Sequence, residues 1–89
     1  MNVLTTEQAL ALINQRLQQP VTRQLFNRSI QPHIVAAGDA TVLPKSVIFD
    51  ARAVRRWAAY IAAREQKILA GEWAANRPYS VEDMQALTT

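Results

Sequence analysis

The sequence predicts a mainly α-helical domain with a small β-hairpin and a long C-terminal helix. The 89-residue chain is 49% hydrophobic but holds only two glycines and four prolines, so long stretches contain no helix breaker. Apolar residues recur at helical spacing in three of those stretches. One turn-rich stretch, "GDATVLPKS", separates two short apolar runs. The length suits a single small hydrophobic core.

The first predicted helix is "LTTEQALALINQRLQ". Thr5 stands three residues before Gln8, which is the spacing of a capping box at a helix start. Leu10, Ile13 and Leu17 follow at helical spacing and predict the buried stripe.

The second predicted helix covers residues 21–31, after Pro20, with Thr22 as its N-cap. Successive residues in a helix are rotated by about 100°, and this rotation places the residues of the second helix on two sides of different character. One side is apolar or small: Leu25, Phe26, Ser29 and Ile30. The other carries long polar side chains: Arg23, Gln24, Asn27, Arg28 and Gln31. Two helices joined by a short turn, the second one amphipathic, are typical of a helix-turn-helix.

A β-hairpin is predicted over residues 34–49. Ile34 and Val35 begin an extended run, and "VIF" resumes it after a loop that is longer than a two-residue turn. Lys45 is expected near the tip of the hairpin or on its returning strand.

A long helix is predicted over residues 51–75, with Asp50 as its N-cap. Trp57 lies near a helical period with its apolar neighbours, so we expect it in the core, although an aromatic beside arginines can also stack on bases. "NRPYS" ends the helix, and Ser80 is expected to cap a short terminal helix. The expected organisation is a domain over residues 1–62 and a helical extension over residues 63–89.

The order helix, turn, helix, hairpin, long helix resembles the winged helix-turn-helix domains of the MerR and phage excisionase group. "LTTEQALALI" is similar to that group's first helix, "VTRQLFNRSI" to its recognition helix, and "VIFDARAVRRWAAYI" to its closing strand and helix. The chain departs from the group in a longer first turn and in Pro32-His33, where a glycine usually follows the recognition helix. The resemblance covers roughly residues 3–62 and implies sequence-specific binding of double-stranded DNA.

Positive charge is concentrated in the first two thirds of the chain. Residues 1–56 hold seven Lys/Arg and three acids, a net charge of +4, whereas residues 57–89 hold three Lys/Arg and four acids, a net charge of −1. The first part is therefore expected to face a polyanion.

The candidate DNA-binding residues follow from placing helix 22–31 in the major groove. Its first residues are expected to reach base edges: Thr22, Arg23, Gln24 and Asn27. Arg28 and Gln31 lie further along and are expected at the backbone, as is Arg52 of the long helix. Lys45 and Ser46 of the hairpin are expected at phosphate or in the minor groove. The alternative for each is an ordinary solvated surface.

Several classes of site are not expected. The chain has no cysteine, a single histidine (His33) and no glycine-rich phosphate loop, so we predict no catalytic residues, no metal site and no cofactor, and no small-molecule ligand is evident. No signal peptide is visible, and the longest apolar run is far shorter than a membrane span. A cytoplasmic protein without membrane partners is expected.

The biological role stays open among several possibilities. A transcriptional regulator and an excisionase-like recombination directionality factor would use the same surface. Small terminase subunits of phages share the layout, and a basic protein-interaction module is a further alternative. A homodimer through Ile68, Leu69 and Trp73 is expected, the competing arrangement being that the C-terminal segment covers this patch with Tyr79, Val81, Met84 and Leu87.

Overall fold

The computed structural model describes residues 2–88, which form several helices and a small three-stranded antiparallel sheet. A mainly helical fold with a small sheet is therefore confirmed. The three strands are β1 (Val3–Leu4), β2 (Ala40–Val42) and β3 (Val47–Asp50), in the order β1-β3-β2. The helices are α1 (Thr6–Asn14), α2 (Arg23–Leu25), a π-helical segment (Phe26–Ile30), α3 (Gln31–Ala36), α4 (Ala51–Leu69) and α5 (Val81–Thr88).

Helix α1 begins at the predicted capping box and ends earlier than expected. The Thr5 hydroxyl accepts from the Gln8 N–H at 3.2 Å, and the Gln8 side chain accepts from the Thr5 N–H at 3.0 Å. The helix ends at Asn14, so Leu17 lies in the following turn and is only half-buried. The Asn14 amide accounts for this end, because it accepts from the Val21 N–H at 2.8 Å and donates to the Val21 carbonyl at 3.1 Å.

The turn after α1 is also held by a side chain of α4. The Glu65 carboxylate on α4 accepts from the backbone N–H groups of Gln18 and Gln19 at 2.9 and 3.1 Å. Bonds between a carboxylate and backbone N–H groups are charge-assisted, so they fix this otherwise exposed turn against α4.

One continuous helical segment, residues 23–36, consists of α2, the π-helical segment and α3; we call it the composite helix. Thr22 is its N-cap, as predicted, and accepts from the Leu25 N–H at 3.2 Å. The expectation that Ile34 and Val35 begin a hairpin strand is wrong, because both belong to α3.

Pro32 does not end the composite helix, and the π-helical segment explains why. In a regular α-helix the Pro32 ring would clash with the carbonyl four residues earlier. Here the Gln31 N–H bonds to the Phe26 carbonyl, five residues back, and Pro32 occupies the first turn of α3, where its missing N–H is least costly. A local π turn therefore carries the helix past the proline.

Gly38 ends the composite helix. Its φ is +81°, its N–H donates to the Val35 carbonyl at 3.0 Å, and the Asp39 N–H donates to the Ile34 carbonyl at 3.0 Å. These two bonds and the left-handed residue form a Schellman motif. The glycine that seemed absent after the second helix is present, six residues beyond Pro32.

The hairpin is shorter than the predicted 34–49. In its β2–β3 register, Ala40 faces Phe49 and Val42 faces Val47. Leu43 and Ser46 exchange backbone hydrogen bonds at 2.7 and 3.4 Å, so the turn itself is Pro44-Lys45. The expected longer loop is therefore wrong, and Lys45 lies at the tip.

Helix α4 supplies much of the core. Asp50 is its N-cap, as predicted, and accepts from the Arg52 and Ala53 N–H groups at 2.9 and 3.4 Å. The largest fully buried side chains come from several elements: Trp57, Tyr60, Phe26, Phe49, Ile13, Ile30, Ile34, Met84 and Val54. Trp57 is thus a core residue, as its position on the helical stripe predicts.

Helix α4 ends at Leu69, not at residue 75. Gly71 has a φ of +78°, and its N–H donates to the Ile68 carbonyl while the Glu72 N–H donates to the Lys67 carbonyl. This second Schellman motif leaves α4 about 28 Å long at about 1.5 Å per residue.

The C-terminal segment packs back onto α4 within the same chain. The predicted cap Ser80 accepts from the Asp83 N–H at 3.0 Å, and the Ser80 N–H donates to the Tyr60 hydroxyl at 3.2 Å. Met84 is fully buried, and Tyr79 meets Tyr60 edge to face at 6.4 Å. The C-terminal segment thus folds back onto α4, as the alternative to the dimer expects, but Leu69 of the patch that it was expected to cover stays 55% exposed.

Acidification is expected to weaken this C-terminal packing. Arg77 donates to both carboxylate oxygens of Asp83, at 3.0 and 3.1 Å, and this lowers the pKa of Asp83 below its ordinary value of 3.8. Because the native pKa is depressed, the pair stabilises the fold fully above the unfolded pKa and loses this effect as pH falls through the native pKa. In urea unfolding at pH 7 and pH 3, Asp83→Asn should lose less stability on acidification than the wild type. Equal losses would show that this pair contributes nothing.

Candidate nucleic-acid interface

The polar face of the composite helix is exposed, as its helical spacing predicts. Arg23, Gln24, Asn27 and Arg28 are exposed and Gln31 is half-buried. On the opposite side Phe26 and Ile30 are fully buried in the core. The N-cap Thr22 is exposed as well, so the start of this helix is open to a ligand.

A groove joins the start of the composite helix to the hairpin; we call it the Arg23–Lys45 groove. Its lining consists of Thr5, Thr6, Glu7, Arg23, Lys45, Ser46, Val47 and Ile48. The fold therefore brings together three of the predicted DNA-binding residues. Arg23 lies beside Lys45 and Ser46, which are 22 and 23 positions further along the chain. In such a groove a lysine and a hydroxyl can contact backbone phosphates beside an arginine that can reach a base edge.

Glu7 lines this groove but is not among the residues that the amino-acid sequence predicts for the site. Its carboxylate accepts from Arg23 Nη1 at 3.1 Å, while the two side chains stay 78% and 58% exposed. A pair this exposed contributes at most about 1 kcal/mol to stability. Its main effect is to hold the Arg23 guanidinium across the groove, and no local pattern in the sequence signals it.

The other predicted cations do not line this groove. Arg52 borders a separate cleft with Asp39, Asp50, Ala53 and Arg56. Arg28 lines a different cleft, with Ser29, His33 and Arg64. The predicted residues therefore fall on several surfaces.

Unpaired positive charge is distributed over the surface. Within residues 2–88, every acidic side chain except Glu82 accepts a hydrogen bond from the protein or joins an ion pair. Six cations in the same range have no carboxylate within 4.0 Å: the buried Arg64 and five others, Arg16, Arg28, Lys45, Arg52 and Arg55. The five others are all exposed, so the excess charge is available to a polyanion.

Asp39 connects the end of the composite helix to α4. Its Oδ2 accepts from Trp57 Nε1 at 2.9 Å and lies 3.6 Å from Arg56 Nη2. Its backbone carbonyl accepts from the Asp50 N–H at 3.0 Å. Asp39 therefore positions the composite helix and the hairpin relative to each other.

The three predicted oligomerisation residues have different environments. Leu69 is 55% exposed, whereas Ile68 and Trp73 are half-buried. The Arg77 guanidinium lies 3.9 Å from the centre of the Trp73 ring, and Lys67 lies 5.6 Å from it. Only Leu69 presents a large apolar surface to solvent.

Other kinds of site have no support in the part of the chain that is described. Across residues 2–88, no group of three His, Cys, Asp or Glu side chains is placed to hold a metal ion. No helix in that range combines the length and the apolar character that a bilayer span requires. No family model, curated protein or solved structure matches this chain at a significant level.

Proposed function

We propose that this chain binds double-stranded DNA as a winged helix-turn-helix protein. The observation that carries the proposal is the Arg23–Lys45 groove, in which the exposed start of an amphipathic helix meets a hairpin tip with a lysine. The composite helix would enter the major groove, and Pro44-Lys45 would contact the adjacent backbone or minor groove. The element order β1, α1, composite helix, hairpin, α4 suits this mode of docking.

Recognition of the DNA base sequence would depend on the exposed face of the composite helix. Arg23 can donate two hydrogen bonds to guanine, and Asn27 can pair with adenine in the same groove. A transcriptional regulator and an excisionase-like factor would both act through this face.

Arg23→Ala and Asn27→Ala are each expected to cost about 1–3 kcal/mol on a specific site and much less on random DNA. The specific site would come from selecting bound fragments out of a genomic library. Arg55→Ala is the matched control, because Arg55 is an exposed arginine outside the groove. Equal losses on both DNAs would show that these residues contact phosphate only.

The second candidate is a DNA-packaging subunit, which has to self-associate. The exposed Leu69 at the end of α4 offers an apolar contact for such self-association. Sedimentation separates the two roles: a regulator is expected to form a dimer and a packaging subunit a larger ring. Leu69→Ser should shift either assembly toward monomer without unfolding the chain. A wild-type monomer at high micromolar concentration would contradict both assemblies.

A basic protein-interaction module would behave differently from either DNA-binding role. It would give no mobility shift with random genomic fragments, even at low salt. That result would contradict the proposed function.

A further inference from the structure

A cleft between the composite helix and the loop before α5 collects polar side chains for which no ligand has yet been named. Its polar lining consists of Arg28, Ser29, His33, Arg64 and Asn76. No acidic side chain of residues 2–88 lines it. We call it the Arg28–Arg64 cleft.

Arg64 is the residue in this cleft that most needs an explanation. It is only 7% exposed, and no carboxylate of residues 2–88 pairs with it. Nη2 donates to the carbonyls of Ala75 and Arg77, and the guanidinium lies 3.9 Å from the centre of the Tyr79 ring. Nε is buried without a partner among the described residues. A buried cation of this kind is costly unless an anion compensates it.

One acid that feels the charge of Arg64, Asp83, is already engaged. Asp83 is close enough for the charge of Arg64 to contribute to its lowered pKa, but both of its oxygens accept from Arg77. Arg28, on the other wall of the cleft, is exposed and has no acidic partner within residues 2–88. Two arginine side chains therefore line one cleft, and no acidic side chain of residues 2–88 lines it with them.

We propose that the Arg28–Arg64 cleft is an oxyanion site that binds a phosphoryl group. Two guanidinium groups match the charge of about −1.5 to −2 on a phosphate monoester better than the single charge of a carboxylate. The Ser29 hydroxyl and the Asn76 amide supply neutral donors at the same place. The phosphoryl group comes from a free phosphate monoester or, resting on the proposed DNA-binding function, from the backbone of bound DNA.

The test uses inorganic phosphate as the probe and amide NMR spectra of the full chain as the readout. Phosphate is expected to shift the signals of residues around Ser29, His33 and Asn76 in a saturable way at millimolar concentration. Sodium chloride at equal ionic strength is expected not to do so. Identical shifts with the two salts would overturn the proposal.

Two variants distinguish phosphate binding in the cleft from phosphate binding through the general positive charge of the protein. Arg28→Gln is expected to weaken phosphate binding by about tenfold, because it removes a charge-assisted contact. Arg55→Gln removes the same charge outside the cleft and should leave binding unchanged. Equal affinities for the two variants would overturn the proposal. Both side chains are exposed, so folding does not depend on either.

A competition experiment then distinguishes the two sources. Displacement of phosphate by a random-sequence duplex identifies the DNA backbone, whereas displacement only by a nucleoside monophosphate identifies a free phosphate monoester. Both results support the site. A protein that binds phosphate in the cleft but gives no mobility shift with DNA would contradict the proposed function and leave the oxyanion site standing.

Discussion

Trp57→Ala is expected to lower the free energy of unfolding by about 3–5 kcal/mol. Trp57 is fully buried, and its indole N–H donates to Asp39 at 2.9 Å. The substitution removes the largest core side chain and leaves the Asp39 carboxylate without its closest donor. A domain of this size is stabilised by roughly 5–10 kcal/mol in total, so the variant should be at the margin of folding.

Urea unfolding followed by circular dichroism measures this loss without relying on tryptophan fluorescence. Trp57→Phe keeps most of the apolar volume but loses the N–H donor, so we expect about half of the effect, roughly 1.5–2.5 kcal/mol. Trp73→Ala is the matched control, because Trp73 is half-buried and stacks on Arg77 near the surface. A Trp57→Ala variant that is as stable as Trp73→Ala would contradict the described core.

The double charge reversal of Arg23→Glu and Lys45→Glu is expected to reduce affinity for duplex DNA by roughly hundredfold at about 0.1 M salt. Both residues line the Arg23–Lys45 groove and both are exposed, so the fold should persist. If Lys45 meets one phosphate and Arg23 a base edge, the slope of log K against log[salt] should fall in magnitude by about 0.9. Mobility shifts over a salt series give both quantities.

The control for this variant is the reversal of Arg16 and Arg55. It changes the net charge by the same four units at exposed positions outside the groove. We expect a much smaller loss for this control. If both double variants lose affinity equally, only the net charge matters and the groove is not the interface.

Some features of the fold were predictable because they depend on residues three or four positions apart. The caps Thr5, Thr22, Asp50 and Ser80 each bind a backbone N–H within three residues, so the local sequence is enough to find them. The amphipathic character of the composite helix was predictable for the same reason, and its Arg23–Arg28 face is indeed exposed.

The C-terminal ends of the composite helix and of α4 were harder to predict, although a glycine marks each of them in the sequence. Gly38 and Gly71 each adopt a positive φ and close a Schellman motif. Gly38 falls inside the predicted hairpin over residues 34–49, because the π turn that carries the helix past Pro32 has no clear sequence signature. Gly71 was placed within a helix because apolar residues continue beyond it.

The sequence by itself determined the fold class, the helix starts and the concentration of positive charge in residues 1–56. Only the tertiary structure decided which side chains share a site. The Glu7–Arg23 pair joins residues 16 positions apart, and Glu65 holds a turn 47 positions away. The buried Arg64 and the fold-back of α5 depend in the same way on packing between distant segments. Contacts of this kind follow from how the apolar faces of whole elements pack together, and no local spacing in a chain encodes them.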